Sequence, residues 1–77
     1  MSPVQGTGIV YTVEDLGAAV RRRRKKLGYT QEQVAAFNQC SPRFIGELER
    51  GKGGAGIERV ITIANSLGLD IAVVERG

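Results

Sequence analysis

The sequence predicts an all-α domain of four to five short helices followed by one terminal strand. Three observations predict it. Apolar residues recur at helical spacing in several separate stretches. Most of these stretches open on a capping residue or close on a glycine stop. The last apolar run is β-branched and lacks that period. A chain of 77 residues supports one domain with a small core.

Residues 1–10 are rich in Ser, Pro, Gln, Thr and Gly and read as a flexible arm, in which Ile9 and Val10 begin a short extended stretch that ends at Tyr11. The domain proper spans residues 11–69. Thr12 is an N-cap, with Glu14 and Asp15 in the first turn where the helix dipole favours acids. Val13, Leu16, Val20 and Leu27 then follow a helical period, and Arg23 and Arg24 fill its missing turn. One arginine of the basic run therefore faces inward and needs a buried partner. Gly28 ends the helix. In the second helix Thr30 and Gln33 form a capping box, and Tyr29 and Val34 provide a hydrophobic staple around it. That helix stops near Phe37. Ser41 and Pro42 start a third as N-cap and first helical residue, with Cys40 and Ile45 as its staple and Gly51 as its close. After the glycine-rich stretch 52–56, Ile57, Val60, Ile61, Ala64 and Leu67 mark a fourth amphipathic helix stopped by Gly68. Residues 70–77 form the terminal segment, and its run Ile71, Ala72, Val73 and Val74 reads as a strand. A lone strand has no partner in its own chain, and pairing with the same strand of a second copy across a two-fold axis satisfies it.

Composition narrows the function classes. Lys and Arg number 11 against 8 Asp and Glu, a net charge of +3, and six of the cations are contiguous from Arg21 to Lys26. A small basic domain of this kind suits a polyanion, although a charge run is also what a solvated helix face looks like. The chain has no histidine, so the commonest general base is missing, and Cys40 has no imidazole to activate it. These facts point away from an enzyme. No cluster suits a metal, and neither a cofactor nor a small-molecule ligand is expected. No apolar run approaches the length of a membrane span, and residues 1–5 lack the pattern of a secretory signal. A single cysteine fits a reducing cytoplasm.

The second and third helices, Gln31 to about Phe37 and Pro42 to about Arg50, are joined by about four residues. This is the spacing of a helix-turn-helix, and equally of an ordinary helical hairpin inside a four-helix domain.

The residues themselves resemble the Cro/C1-type (XRE) helix-turn-helix family. The resemblance lies in Leu27-Gly28-Tyr29-Thr30-Gln31-Glu32-Gln33-Val34-Ala35, in Ser41 through Lys52, and in the ending at residues 64–70. Within that family, the phrase Ser41-Pro42-Arg43-Phe44-Ile45-Gly46-Glu47-Leu48-Glu49-Arg50-Gly51-Lys52, the lead-in from Tyr11 to Gly17 and the strand after Leu69 are similar to HipB-like antitoxins. The resemblance implies a lambda-repressor-like fold whose third helix enters the major groove of double-stranded DNA. It implies that Gln31 bonds a phosphate and that Ser41, Pro42, Arg43, Phe44 and Glu47 face the DNA. Arg43 has the fork for guanine O6 and N7, or it contacts a phosphate instead. Phe44 touches a thymine methyl or covers the helix packing. Glu47 accepts from a cytosine amine or is a plain surface carboxylate. Arg50 and Lys52 suit phosphates. Arg24 and Glu49 match the family's ion pair between the first and third helices.

At the turn the chain departs from the family, placing Asn38 and Gln39 where an apolar residue and a positive-φ glycine are usual. The resulting expectation is a cytoplasmic, homodimeric repressor of a two-fold operator. As an antitoxin it also represses its own operon and binds a HipA-like kinase toxin. A free-standing regulator, or an interaction module that reuses the fold without DNA, are the other readings.

Overall fold

A computed structural model describes residues 8–77. The first seven residues of the expected N-terminal arm lie outside the described residues. The chain forms α1 (Val13–Leu27), α2 (Gln31–Phe37), α3 (Pro42–Glu49) and α4 (Ile57–Ser66). Helix α3 is central, packing on α1 from one side and α2 from the other, while α4 closes the core against α2. The core is Val20 from α1, Val34 and Ala35 from α2, Ile45 and Leu48 from α3, and Val60, Ile63 and Leu67 from α4 and its end.

The first three helices start at side-chain caps, whereas α4 starts at Gly56 with no side-chain cap bond. The Thr12 hydroxyl accepts from Asp15 N–H at 3.0 Å, and the Ser41 hydroxyl from Phe44 N–H at 3.1 Å. Thr30 and Gln33 make the reciprocal box, with bonds of 3.1 and 2.8 Å. Tyr29 packs against the core beside that box and meets Phe37 in a T-shaped contact at 5.0 Å between ring centroids.

All four helices end with one pattern, in which a residue of positive φ is followed by an N–H that bonds five residues back. Gly28, Gly51 and Gly68 supply the positive φ after α1, α3 and α4, and the closing bonds run Tyr29 to Arg24, Lys52 to Glu47 and Leu69 to Ala64. After α2 the same bond runs from Cys40 N–H to the Ala35 carbonyl, but the residue in the left-handed region is Gln39, at φ 55°. The turn keeps the length a glycine would give, and a non-glycine residue carries the strain. Holding an L side chain there costs about 1–2 kcal/mol. Gln39→Gly removes that cost and gives back about 0.5–1 kcal/mol as unfolded-chain entropy. The net expectation is a gain of up to about 1.5 kcal/mol, read as a rise of a few degrees in thermal midpoint. A lower midpoint would show that the Gln39 side chain has a stabilising role.

The structure corrects the reading of α4. Ile63 is fully buried and Ile61 only half so, while Ile57 is 70% exposed. The buried stripe is Val60, Ile63, Ala64 and Leu67. Val13 and Leu27 at the two ends of α1 are likewise partly in solvent, at 49% and 39% exposure.

Residues 69–77 have no regular secondary structure, and no strand occurs among the described residues. Leu69 packs against the core. Beyond it Ile71, Ala72, Val73 and Val74 all face solvent, Val73 at 96% exposure. A strand here requires a pairing edge that a single copy of the chain does not offer.

Candidate nucleic-acid interface

The direction of α3 is fixed from below. Its inward face holds Ile45, Gly46, Leu48 and Glu49. Glu49 forms a forked pair with Arg24 of α1, Nε to Oε2 at 2.6 Å and Nη2 to Oε1 at 2.9 Å. Both residues are 8% exposed. The remaining bonds complete the group. Arg24 Nη1 donates to the Tyr29 carbonyl at 2.9 Å, and Gln31 Nε2 donates to Glu49 Oε1 at 3.1 Å. Burial pushes the Glu49 carboxyl up, but the bonds from Arg24 and Gln31 and the charges of Arg24 and Arg21 prevail and hold it below its usual range. The bond to Glu49 raises Arg24 against the opposing effect of burial. No buried side-chain N or O among the described residues lacks a partner.

Close approach of backbones makes this pair possible. A β-carbon at Gly17 of α1 would stand 2.8 Å from the Glu49 carbonyl oxygen and nearer still to that of Leu48. The turn into α3 is held from the other side. Asn38 Nδ2 donates to the Val34 carbonyl at 2.8 Å and to Ser66 Oγ of α4 at 3.0 Å. Arg23 Nε donates to the Leu67 carbonyl at 2.7 Å, which ties α1 to the end of α4.

The outward face of α3 begins with Ser41, Pro42 and Arg43, all exposed. The Arg43 side chain is 84% exposed, and its Nε lies 3.5 Å from Glu47 Oε2, which also accepts from Lys52 Nζ at 2.9 Å. The bond from Lys52 lowers the Glu47 carboxyl most, burial opposes it, and the charges of Lys52 and Arg43 assist. Glu47 thus sits between two cations whose side chains are largely exposed. Phe44 is half-buried against the core, and the Arg59 guanidinium lies 5.3 Å from its ring centre. Arg50 and Lys52 are exposed where α3 runs into the loop. Gln31, at the first position of α2, lies beside the buried pair.

The structure therefore brings Arg43, Glu47 and Lys52 into one charged row and puts Gln31 beside Arg24 and Glu49. Sequence reasoning missed the packing role of Gly17, the bonds of Asn38 and the role of Arg23. Two of these carried a signal. Arg23 fills a gap in the apolar period of α1, and a glycine inside a helix costs about 1 kcal/mol against alanine, which implies a packing reason.

Comparison with known proteins agrees with this geometry. Residues 20–74 match the family HTH_3, described as Helix-turn-helix. The chain is 35% identical over 68 residues to an uncharacterized HTH-type transcriptional regulator, y4mF, of Sinorhizobium fredii, covering 88% of this chain and 90% of that protein. It is 48% identical over 40 residues to the competence pilus inhibition repressor of Acinetobacter baylyi, covering 52% of this chain and 36% of that protein. Among solved structures, the clp gene regulator ClgR of Corynebacterium glutamicum superposes with a TM-score of 0.72 at 30% identity, covering 86% of this chain and 85% of that one. HipB in a complex with an O2 20mer gives 0.83 at 19% identity, covering 94% and 100%, a likeness of fold. A HipA-HipB-O2-O3 complex gives 0.81 at 20% identity, covering 91% and 99%. By its sequence and its fold this chain belongs to the Cro/C1-type (XRE) helix-turn-helix family of DNA-binding transcriptional regulators.

Proposed function

We propose that this chain is a sequence-specific repressor that reads double-stranded DNA with α3. One observation carries the reading. The first turn of α3 projects Ser41, Pro42 and Arg43 into solvent, while a buried ion pair and a core face fix the helix behind them. A rigid helix with its N-terminal side chains exposed is what major-groove readout requires. Arg43 supplies the fork for guanine, and Gln31, Arg50 and Lys52 fix register on phosphates. The exposed apolar run Ile71, Ala72, Val73 and Val74 supports a homodimer paired through its terminal segments, which sets two reading helices on a two-fold operator.

Within this reading we favour an antitoxin that represses its own operon and binds a HipA-like kinase. Its support is the fold likeness to HipB, a protein solved with HipA and with O2 and O4 20mers, beside the sequence phrase from Ser41 to Lys52. The higher identity to y4mF and to ClgR favours a free-standing regulator instead. Co-purification with the product of a neighbouring kinase-like gene separates the two, since a free-standing regulator retains no such partner.

The DNA reading is tested by titrating duplexes from upstream of the gene, and scrambled duplexes of equal length, with native protein and with Arg43→Ala. Arg43→Ala is expected to cost about 1–3 kcal/mol on the upstream duplex and little on the scrambled one. Equal weakening on both would make Arg43 a phosphate contact. No binding by native protein would remove the repressor reading.

A further inference from the structure

We infer that Arg21 completes a binding site for one DNA backbone phosphate, formed with Gln31 and Arg50 over Gly46. The inference rests on the DNA-binding reading above. An open notch of about 330 Å³ between α1, α2 and α3 is lined by Arg21, Gln31, Gly46, Glu49 and Arg50. Three features suit it to a phosphodiester.

The first is charge. Glu49 lies in the wall of the notch, but its carboxylate is occupied by Arg24 at 2.6 Å. Neither Arg21 nor Arg50 forms a salt bridge among the described residues. Arg21 and Glu49 line the same notch, and the charge of Arg21 helps to lower the Glu49 carboxyl. The opening is thus lined by two arginines that no salt bridge among the described residues neutralises, and Arg50 Nη1 reaches over Gly46. The second is donor supply. Gln31 Nε2 spends one N–H on Glu49, which orients the amide, and keeps a second N–H for an oxygen. The third is room. A β-carbon at Gly46 would lie 3.3 Å from Arg50 Nη1 and 3.5 Å from Gln31 Oε1. Both side chains therefore converge over bare backbone, and a side chain there would intrude on the space between them. An α1 residue in this position extends the contact from the helix-turn-helix to the adjoining helix. It also gives one member of the basic run a definite role.

The test uses the full chain, the upstream and scrambled duplexes, and a salt series. A phosphate contact contributes equally to every sequence. Arg21→Gln is therefore expected to weaken both duplexes, roughly tenfold, and to reduce the salt slope by about 0.9. Lys26→Gln, which removes the same charge elsewhere on α1, leaves the slope nearly unchanged. Gly46→Ala melts at or above the native temperature, because alanine favours the helix, yet binds both duplexes more weakly. An unchanged slope in Arg21→Gln overturns the site while leaving the DNA reading intact. An equal fall in Lys26→Gln also overturns it, because the effect is then one of net charge. If native protein binds neither duplex near physiological salt, the DNA reading fails and takes the site with it.

Discussion

Glu49→Ala is expected to destabilise the fold by about 3–5 kcal/mol, because it leaves the Arg24 guanidinium buried and uncompensated. That is a large share of the roughly 5–15 kcal/mol available to a domain. The Arg24 side chain cannot swing to water without giving up its bond to the Tyr29 carbonyl, and Gln31 loses the acceptor that orients it. Arg24→Met should cost a similar amount by stranding the carboxylate. The double variant Arg24→Met with Glu49→Leu should recover most of the loss, since two apolar groups of similar bulk need no partners. Urea titrations of the native chain, both single variants and the double variant decide it. Single-variant losses under about 1 kcal/mol would place the pair with ordinary surface bridges.

The same pair sets an acid limit. The folded Glu49 carboxyl lies below its ordinary value of 4.5. Its contribution is therefore complete above that value and is lost as pH falls through the folded one. A melting series from pH 7 downward should fall more steeply below about pH 4.5 in the native chain than in Glu49→Gln.

Gly17→Ala is the second large effect, and it runs against helix propensity. Alanine should favour an interior helical position by about 1 kcal/mol. Here the added carbon meets backbone carbonyls of Leu48 and Glu49, which cannot rotate away as a side-chain tip does. Helix α3 must move off α1, and overpacking of this kind costs about 1–3 kcal/mol. The shift also stretches the Arg24–Glu49 pair and tilts the outward row from Ser41 to Lys52, so DNA binding should fall together with stability. Gly53→Ala is the control. A β-carbon at Gly53 meets nothing within 4 Å, so its midpoint should stay near the native one. A Gly17→Ala chain as stable as native would mean that the two helices slide apart freely.

The sequence carried most of this architecture because its local signals agree. Caps or staples open the first three segments, a glycine stops the fourth, and the apolar period marks the same four segments that the helices occupy. The inward-facing arginine was legible as a gap in an apolar period, and the family resemblance supplied its partner. Contacts between segments distant in the chain were harder to read. Nothing in one dimension says that Gly17 lies against the end of α3, or that Asn38 reaches Ser66. The stripe of α4 was misread for a related reason. Ile57, Ile61 and Ile63 are chemically alike, and only the placement of α4 against α2 selects Ile63 for the core. The turn at Gln39 followed tertiary demand over residue preference, since the bond from Cys40 to Ala35 requires a left-handed residue there. In the candidate interface, the residue types pointed to DNA, but the coupling of Arg43 and Lys52 through Glu47 required coordinates.

The most direct test of α3 as a DNA reader is native protein titrated across a salt series on its upstream duplex and on a scrambled one. The account predicts that log affinity falls linearly with log salt on both, with the upstream duplex bound about a thousandfold or more tighter near physiological salt. Equal affinity for the two duplexes, or none for either, would contradict it.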